Sequence, residues 1–545
     1  MNYKKKYQQW LEFDIDTYNE LLNIKDEKEI EDRFYKDLTF GTGGLRGLIG
    51  AGSNRMNTYT IKRVTYGLSQ YVLSKNDEKP SVVIAYDTRN YSREFALAAA
   101  TIFSAVGIKV YIFKDVAPTP ILSYAVRHFR TNIGIVITAS HNPKEYNGYK
   151  VYNHNGGQLI PNEADEVISF INKITTFSSV PYTDFSKAEK SEMINWIGNE
   201  LFETFIQKAT KQSLYKANKK DLKIIYTPLH GSGNIPVQMI LKDFSLSIVG
   251  EQELPDGNFP TVHSPNPEER DTLTLAIEQA KKEDADIVIG TDPDCDRIGV
   301  AVKNKNHYEL LTGNQIGALL VNFVLSHKKI NGKSTLIKTI VTNDLGSKIA
   351  LNKGLNVLNT LTGFKYIGEK ITDFEQNNLY DFVIGYEESY GYLVGTHSRD
   401  KDAIVAALLI CEMASECKDK GITLIDQLEK IYAQYGYYLD ALDSFVLEGK
   451  DGNSKIERIM SQFRNDKKLF MPNIKETLDY NEGIQNLPKE NVLKFILLDD
   501  SWIAIRPSGT EPKLKIYYSI KGKNKNEAQE KLEDIRSKLI DVIES

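Results

Sequence analysis

Short apolar runs and longer amphipathic stretches alternate along the first third of the chain. Runs rich in β-branched residues lie at 82–86, 108–113 and 133–137, and the alanine-rich stretch 94–106 has helical spacing and ends before a glycine. Short apolar runs bounded by turn residues are typical of buried strands, and their alternation with helices indicates a mostly parallel sheet. This part of the chain is therefore predicted to form an α/β domain.

The same alternation returns twice before the pattern changes. Further strands are predicted at 223–227, 286–290, 335–341 and 381–385. A helix is predicted over 402–418, and strands near 445, 494–498 and 502–505 then precede a charged terminal helix from 525. The predicted fold class is α/β, with three similar domains of mixed, mostly parallel sheets, a C-terminal α+β domain and an active site in the central cleft. The predicted domain limits are 1–212, 213–325, 326–435 and 436–545.

Two segments outside these repeats are predicted to be helical. Residues 5–38 carry aromatic and aliphatic side chains at helical spacing, which predicts amphipathic helices that cap the first sheet. Residues 163–215 are polar and are predicted to be helical throughout, linking the first domain to the second.

Composition excludes several classes of protein. The chain has 545 residues and a formal net charge of -5, which argues against a nucleic-acid-binding protein. It contains no apolar run long enough to span a membrane, and its amino terminus lacks the apolar core of a signal peptide. The three cysteines, Cys295, Cys411 and Cys417, have no framework spacing, so reduced thiols and a cytoplasmic location are expected.

A serine-containing turn follows the predicted strand 133–137. The sequence TASHNP at 138–143 places Ser140 at the carboxyl end of this strand, and Pro143 cannot continue the ladder. Ligands bind at this edge of open α/β sheets, so the hydroxyl is a candidate nucleophile or phosphoryl carrier. The alternative is a loop serine that bonds to its neighbours' backbone.

A candidate metal site follows the predicted strand 286–290. Asp292, Asp294 and Asp296 alternate along an extended segment, so their side chains point the same way and can converge on one hard cation. An EF-hand loop would need glycine and glutamate where this chain has Arg297 and Lys303. A solvated acidic turn is the remaining alternative.

Three further loops carry groups suited to a sugar phosphate. The glycine-rich segment 41–47 contains Arg46, a fixed bidentate cation beside a backbone that can approach a ligand closely. The segment 385–391 offers glutamate and serine for sugar hydroxyls, and 506–513 combines arginine, hydroxyls and glycine into a cage for a phosphate dianion. Flexible turns and an exposed acidic loop are the alternatives at these places.

Taken in order, these motifs resemble those of the α-D-phosphohexomutases over residues 41–518. The resemblance implies that Ser140 carries a phosphoryl group and that Mg²⁺ is bound by Asp292, Asp294, Asp296 and a phosphate oxygen on Ser140. It makes Arg46 an active-site cation, and it places His141, Lys150 and Arg46 near the reacting hydroxyl as candidate proton-transfer groups. The substrate contacts that it implies are Arg297, Thr362, Glu387, Ser389, Lys401, Arg506, Ser508, Gly509 and Thr510.

The resemblance also implies an activity. It predicts an isomerase that interconverts glucose 1-phosphate and glucose 6-phosphate, with α-D-glucose 1,6-bisphosphate as intermediate and activator. Pentose-phosphate and mannose-phosphate mutases are the closest alternatives, and Tyr386, which stands where many members have glycine, bears on sugar preference. A magnesium-dependent sugar phosphatase and a non-catalytic sugar-phosphate-binding regulator are alternatives of other classes. Small sugar phosphates are the expected partners, without nucleic acid or membrane, for a monomer or weak homodimer.

Overall fold

The computed structural model describes residues 2–41, 43–447, 452–465, 473–507 and 513–544. Within these residues the α-helices are α1 Tyr3–Trp10, α2 Ile15–Leu22, α3 Glu27–Phe34, α4 Thr58–Ser74, α5 Ser92–Ala105, α6 Thr119–Phe129, α7 Pro161–Asn172, α8 Phe185–Lys190, α9 Glu200–Thr210, α10 Asn234–Ile240, α11 Gly250–Glu253, α12 Thr274–Glu283, α13 Gly313–His327, α14 Leu345–Asn352, α15 Phe364–Asn377, α16 Ala403–Asp419, α17 Leu424–Tyr435, α18 Gly452–Asn465 and α19 Lys525–Glu544.

The strands of the same residues form four sheets. They are β1 Leu45–Leu48, β2 Ser81–Tyr86, β3 Lys109–Phe113, β4 Ile133–Ile137, β5 Tyr146–Asn153, β6 Ile194–Ile197, β7 Lys223–Thr227, β8 Ser245–Ile248, β9 Ile287–Thr291, β10 Ile298–Asn304, β11 His307–Leu311, β12 Ser334–Thr339, β13 Asn356–Thr360, β14 Asp381–Glu387, β15 Gly391–Val394, β16 Tyr437–Val446, β17 Ile474–Asp479, β18 Leu493–Leu497, β19 Trp502–Pro507 and β20 Lys513–Gly522.

The first sheet has the strand order β1-β5-β4-β2-β3-β6. Strands β2, β3, β4 and β6 run parallel, whereas β5 runs antiparallel to both β4 and β1. The prediction that residues 163–215 are helical throughout was wrong, because β6 lies within this segment and pairs with β3. This strand has four residues, too few to show a period, and it pairs with a single neighbour at the sheet edge.

The second and third sheets repeat this mixed arrangement, and the fourth does not. Their orders are β11-β10-β9-β7-β8 and β13-β12-β14-β15, each with a parallel centre and antiparallel strands at one edge. The fourth sheet, β16-β20-β19-β18-β17, is antiparallel throughout and packs against α18 and α19. The predicted fold class is therefore confirmed.

Four of the five candidate site loops connect a strand to its antiparallel neighbour, the exception being the glycine-rich segment 41–47. The serine loop, which contains Ser140, connects β4 to β5, and the aspartate loop, which contains Asp292, Asp294 and Asp296, connects β9 to β10. The glutamate loop, which follows Glu387, connects β14 to β15, and the arginine loop, which follows Arg506, connects β19 to β20. In the serine, aspartate and glutamate loops both ends are held on the sheet ladder, so the backbone is fixed better than that of a free crossover. Residues 508–512 of the arginine loop lie outside the described residues.

Helix α16 forms the centre of the first three units. Nearly all of its residues are buried, and they share one hydrophobic cluster with side chains from the first, second and third sheets. Its buried Glu412 accepts hydrogen bonds from the backbone N–H groups of Leu214 and Tyr215, at 2.7 and 3.1 Å, and pairs with Lys219 at 2.6 Å. The connection between the first two units is thereby fastened to the third.

The amino-terminal helices α1–α3 cap the first sheet around a cluster of aromatic rings. Trp10 and Phe13 pack against Tyr59 of α4 and against Phe177, with ring centroids 4.6 to 5.5 Å apart. Such contacts stabilise beyond their buried area, which fits a structural role. Among the described helices, none combines the length and the apolar character needed to cross a membrane.

A buried lysine joins the fourth sheet to the third unit. Lys494 of β18 donates from Nζ to the carbonyl of Ile340 at 2.7 Å and lies 3.9 Å from the centre of the Trp502 ring. Burial lowers the pKa of Lys494 to about 7, although Asp344 opposes this shift and Lys338 adds to it. Folding therefore places an ammonium group where its neutral form is favoured.

We predict that Lys494→Met stabilises the protein relative to wild type, most strongly at and below about pH 7. The folded-state pKa lies below the ordinary 10.5, so the cost of burying the charge is complete below about 7 and disappears as the pH rises towards 10.5. Unfolding free energies of the two proteins should differ by a few kcal/mol, to order of magnitude, at pH 7 and converge at pH 10. Lys475→Met, at an exposed ion pair, is the control and should show no such trend.

Candidate active site

Ser140 lies in the turn after β4 with its hydroxyl facing the second unit. Its side-chain Oγ donates to Oδ2 of Asp292 at 2.6 Å and lies 3.3 Å from Nδ1 of His141. Its backbone N–H donates to the hydroxyl of Thr138 at 2.8 Å, and its φ angle is 52°. The fold thus brings together a serine and an aspartate that are 152 residues apart in the sequence.

Three buried carboxylates converge beside this hydroxyl. One oxygen from each of Asp292, Asp294 and Asp296 lies within 4.8 Å of the others. The remaining oxygen of Asp292 accepts from the backbone N–H groups of Asp296 and Arg297, at 3.1 and 3.0 Å. Among the described residues, Oδ1 of Asp294 and Oδ1 of Asp296 are buried without a hydrogen-bond donor.

This donor set fits a hard divalent cation. Buried polar atoms in proteins are almost always hydrogen-bonded, so orphaned carboxylate oxygens in a converging cluster mark a place for a positive ligand. Burial and the charges of Asp294 and Asp296 raise the pKa of Asp292 well above its usual range, which shows how unfavourable the ion-free cluster is. A bound cation would remove that penalty.

Two lysines from different units support the cluster from one side. Lys150 of β5 places Nζ 2.7 Å from Oδ2 of Asp294 and 3.3 Å from Oδ2 of Asp296, and Lys401 lies 3.2 Å from the latter atom. Burial opposes their effect, yet Lys401 and Lys150 hold the pKa of Asp296 well below its usual range. Lys401, expected at the sugar, thus contacts the aspartate loop and also Asp400, at 3.2 Å.

Sequence reasoning missed a hydroxyl that positions Asp294. Thr119, at the start of α6, donates from Oγ1 to Oδ2 of Asp294 at 2.8 Å, and its backbone N–H donates to the carbonyl of Asp294 at 2.9 Å. Oδ2 is held by Thr119 and Lys150, and Oδ1 is left without a hydrogen-bond partner among the described residues. Thr119 lies between two prolines and belongs to no motif that signals a function, so its contact with Asp294 is visible only in the structure.

Arg46 and His141 lie on either side of the serine turn. Arg46 belongs to β1, which pairs with β5, and its Nη1 donates to Oδ1 of Asn142 at 3.2 Å. Burial, Arg297 and Arg46 lower the pKa of His141 well below its usual range, so its imidazole is neutral. Arg297 itself pairs with Glu268, which holds the guanidinium beside the aspartate loop.

The glutamate loop between β14 and β15 and the loop after β13 together present a carboxylate and an unpartnered hydroxyl. Glu387 accepts from the backbone N–H of Gly363 at 2.9 Å, and burial raises its pKa to about 7. Thr362 Oγ1 is buried and has no hydrogen-bond partner among the described residues, and Ser389 is half-buried in the turn between β14 and β15. These groups can bind adjacent sugar hydroxyls.

Tyr386 does not face this loop. Its ring is fully buried, and a Cβ added at Gly317 or Gly346 would lie 2.3 or 2.2 Å from it. The tyrosine is therefore a core side chain packed against two glycines of α13 and α14. A tyrosine at this position, where the resemblance leads one to expect glycine, therefore affects packing against α13 and α14 and not the surface of the glutamate loop.

Arg506 lies at the end of β19, directly opposite Lys515 of β20. Its Nε donates to Oε1 of Glu490 at 2.9 Å, and burial together with Arg506 lowers the pKa of Lys515. Like charges placed opposite each other on adjacent strands repel, so this pair favours an anion at the strand ends. The predicted phosphate contacts Ser508, Gly509 and Thr510 lie outside the described residues.

The fold and this site define a class of enzyme: a multidomain α/β protein in which a serine hydroxyl lies beside a buried carboxylate cluster that fits a divalent cation, an arrangement suited to phosphoryl transfer. Family models described as phosphoglucomutase/phosphomannomutase match the chain in four segments. Alpha/beta/alpha domains I, II and III match residues 37–177, 203–305 and 312–435, and the C-terminal domain matches 412–537.

Curated relatives match along nearly the whole chain. A phosphoglucomutase of Staphylococcus saprophyticus is 37% identical over 545 residues, covering 96% of this chain and 98% of its own. A phosphoglucomutase of Staphylococcus aureus strain MSSA476 is 36% identical over 525 residues, covering 93% and 94%. The chain therefore belongs to the phosphoglucomutase/phosphomannomutase family of the α-D-phosphohexomutase superfamily, and it is a mutase of the isomerase class.

Solved structures share the fold at lower identity. The exocytosis-sensitive phosphoprotein pp63/parafusin, a phosphoglucomutase from Paramecium in its open form, has a TM-score of 0.72 at 18% identity and covers 94% of this chain and 95% of its own. A phosphoglucomutase/phosphomannomutase family protein from Burkholderia thailandensis has a TM-score of 0.70 at 18% identity, covering 92% and 97%. At such identities the likeness concerns the fold.

We predict that Asp294→Asn lowers both Mg²⁺ affinity and turnover by about 100-fold or more, because it removes one of three carboxylates from the cation site. Activity titrated with Mg²⁺ and calorimetric Mg²⁺ binding would measure both effects. Asp286→Asn, a paired carboxylate at the opposite end of β9, is the control. Activity that survives chelator titration in wild type and variant alike would mean that the aspartates form only a polar turn.

Proposed function

We propose that the protein interconverts α-D-glucose 1-phosphate and glucose 6-phosphate through a phosphoserine at Ser140. The observation that carries the proposal is the 2.6 Å hydrogen bond from Ser140 Oγ to Asp292 within the three-carboxylate cluster. A phosphoryl group on this oxygen would lie beside the cation site. The names of the Staphylococcus relatives support glucose as the sugar.

In the proposed cycle the free hydroxyl of the sugar phosphate attacks phosphorus on phospho-Ser140. The new O–P bond forms as the bond to Ser140 Oγ breaks, which gives α-D-glucose 1,6-bisphosphate and a free serine. The bisphosphate then reverses its orientation in the site. Ser140 Oγ attacks its other phosphoryl group, and the bond from that phosphorus to the sugar oxygen breaks. Asp292, Asp294, Asp296 and a phosphate oxygen would hold Mg²⁺, which when bound would neutralise charge on the transferring group.

Three residues are candidates for moving the hydroxyl proton. His141 has a ring nitrogen 3.3 Å from Ser140 Oγ, within reach of the proton that the serine gains when the phosphoryl group leaves it and loses when the group returns. Lys150 is paired with Asp294, the carboxylate next to Asp292 in the cluster, and its ammonium group is a second candidate donor of a proton to Ser140 Oγ as this oxygen leaves phosphorus. Arg46 holds its proton too tightly for this task, so we assign it to binding charge on the phosphoryl group.

The remaining contacts divide between sugar and distal phosphate. We propose that Thr362, Glu387, Ser389, Lys401 and Arg297 bind the sugar side. The distal phosphate is assigned to Arg506, Ser508, Gly509 and Thr510. Under this proposal the domains 1–212, 213–325, 326–435 and 436–545 contribute the phosphoserine, the cation, the sugar contacts and the phosphate anchor in turn.

Two finer points complete the proposal. We expect a monomer or weak homodimer, and a cytoplasmic location fits three cysteines that are buried and unpaired.

Mannose and pentose phosphates remain the competing substrates. A panel of hexose and pentose 1-phosphates with product identification would rank them, and release of inorganic phosphate in place of an isomer would favour the phosphatase.

We predict that Ser140→Ala abolishes mutase activity and leaves the fold intact, because the methyl group cannot carry a phosphoryl group. Intact-mass measurement should find a phosphoryl adduct on the wild-type chain that is lost on incubation with substrate. Ser69→Ala, which removes a buried hydroxyl from α4, is the control for folding. Mutase activity of Ser140→Ala within about tenfold of wild type would contradict the phosphoserine cycle.

We predict that Arg506→Ala lowers kcat/KM by about 10- to 1000-fold, since one or two charge-assisted hydrogen bonds to the distal phosphate are lost. The defect should appear in kcat as well as KM, because binding of the distal phosphate helps to orient the sugar hydroxyl. Phosphate release from the phosphoenzyme without sugar should change less.

Arg464→Ala is a matched control for this experiment. Arg464 also lies in the C-terminal unit, is paired with a carboxylate at 2.7 Å and has nearly the same side-chain exposure as Arg506, 24% against 25%. Equal kinetics for Arg506→Ala, Arg464→Ala and wild type would remove the phosphate anchor from the proposal.

A further inference from the structure

One buried guanidinium holds the backbone of the serine loop. Arg89 lies just beyond β2, and its Nη2 donates to the carbonyl of Ser140 at 2.6 Å and to the carbonyl of Asn142. Its Nη1 donates to the carbonyls of Pro143 and Tyr146, at 2.8 and 3.0 Å. A single side chain thus fixes four main-chain oxygens between the serine and the start of β5.

The guanidinium is itself fixed from two sides. Its Nε lies 3.4 Å from Oδ2 of Asp87, and both side chains are completely buried. The other oxygen of Asp87 accepts from the backbone N–H of Arg89 at 2.9 Å and from Oγ of Ser92 at 2.7 Å. The ring of Phe259, from the second unit, lies 5.0 Å from the guanidinium carbon. Arg89 therefore links the serine loop to the end of β2 and to the neighbouring unit.

The loop needs such support because Ser140 has an unfavourable backbone conformation. Its φ of 52° lies in the left-handed region, which residues with a side chain seldom adopt. In this conformation Oγ faces Asp292. Relaxation of the serine to an ordinary φ would turn the hydroxyl away from the carboxylate cluster, so something must hold the turn in place.

We propose that Arg89 is a positioning residue that holds Ser140 in its left-handed conformation and so aims the hydroxyl at the cation site. The inference rests on the proposed role of Ser140 as phosphoryl carrier. Arginine suits this task because its rigid fork of five donors can reach several carbonyls at once. A lysine offers the same charge from one flexible nitrogen and cannot hold the same four oxygens.

The test uses the full-length enzyme with Mg²⁺ and glucose 1,6-bisphosphate. For Arg89→Lys we expect kcat to fall about 100-fold, the effect of misplacing a reacting group by about 1 Å, while KM for glucose 1-phosphate stays within about threefold. For Arg89→Ala, added guanidinium chloride should raise kcat by about tenfold or more, because the free cation can enter the vacated site.

Arg55 supplies the matched control. It is also buried in the first unit, pairs with Asp32 at 2.7 Å and donates to the carbonyl of Asn54 at 3.1 Å, away from the serine loop. Arg55→Lys and Arg55→Ala should keep wild-type kcat at temperatures below their melting points, and guanidinium should not activate Arg55→Ala. Asp87→Asn, which keeps the shape of the ion pair, carries the kcat and KM test if the Arg89 variants fail to fold.

Three outcomes would overturn the inference. They are a folded Arg89→Lys or Asp87→Asn with kcat within about threefold of wild type, a kcat loss in the Arg55 variants equal to that in the Arg89 variants, and no rescue of folded Arg89→Ala by guanidinium. Failure of the phosphoserine itself is distinguishable, since Ser140→Ala would then keep its activity and the wild-type chain would carry no phosphoryl adduct.

Discussion

Repulsion among three buried carboxylates is the constraint on which the centre of the molecule depends. Asp292, Asp294 and Asp296 lie within 4.8 Å of one another in a buried loop, where like charges are poorly screened. The protein offsets this repulsion with ammonium groups from other units: Lys150 comes from the first sheet and Lys401 from the third unit. Assembly of the cation site therefore requires all three units to be in place.

A second constraint is geometric. Four of the candidate loops connect a strand to its antiparallel neighbour, so the strands that flank each of them lie side by side. Helix α16 and Glu412 fix the first three units relative to one another, and Lys494 joins the fourth. Groups that are more than 100 residues apart in sequence can then meet at hydrogen-bond distance, as Ser140 and Asp292 do.

Sequence patterns predicted the fold class and most central strands, because buried parallel strands are short apolar runs with clear boundaries. They could not reveal β6, whose four residues carry no period, or the antiparallel return strands that frame the loops. The spacing of Asp292, Asp294 and Asp296 indicated a shared site, but the predicted extended segment was wrong. Cys295 has a φ of 54° and its backbone N–H donates to the carbonyl of Asp292 at 2.9 Å, so a tight turn brings the carboxylates together.

Contacts between residues of different units could not be predicted from the sequence patterns. Lys401, predicted at the sugar, also contacts Asp296, a contact that depends on how the third unit packs on the second. Thr119 and Arg89 belong to no motif that signals a function, and their roles follow from distances of 2.8 Å and 2.6 Å to groups far along the chain. A sequence motif shows which functional groups one loop carries, whereas the packing of the units determines which loops contact each other.

The central claim is that a phosphate on Ser140 and the three aspartates share one divalent cation. Calorimetric titration of Mg²⁺ into phosphorylated and dephosphorylated enzyme tests this claim most directly. The phosphoenzyme offers an additional anionic oxygen ligand, so the account predicts that it binds Mg²⁺ at least about tenfold more tightly, at one site per chain. Equal affinity in the two forms, or binding that survives replacement of all three aspartates by asparagine, would contradict it.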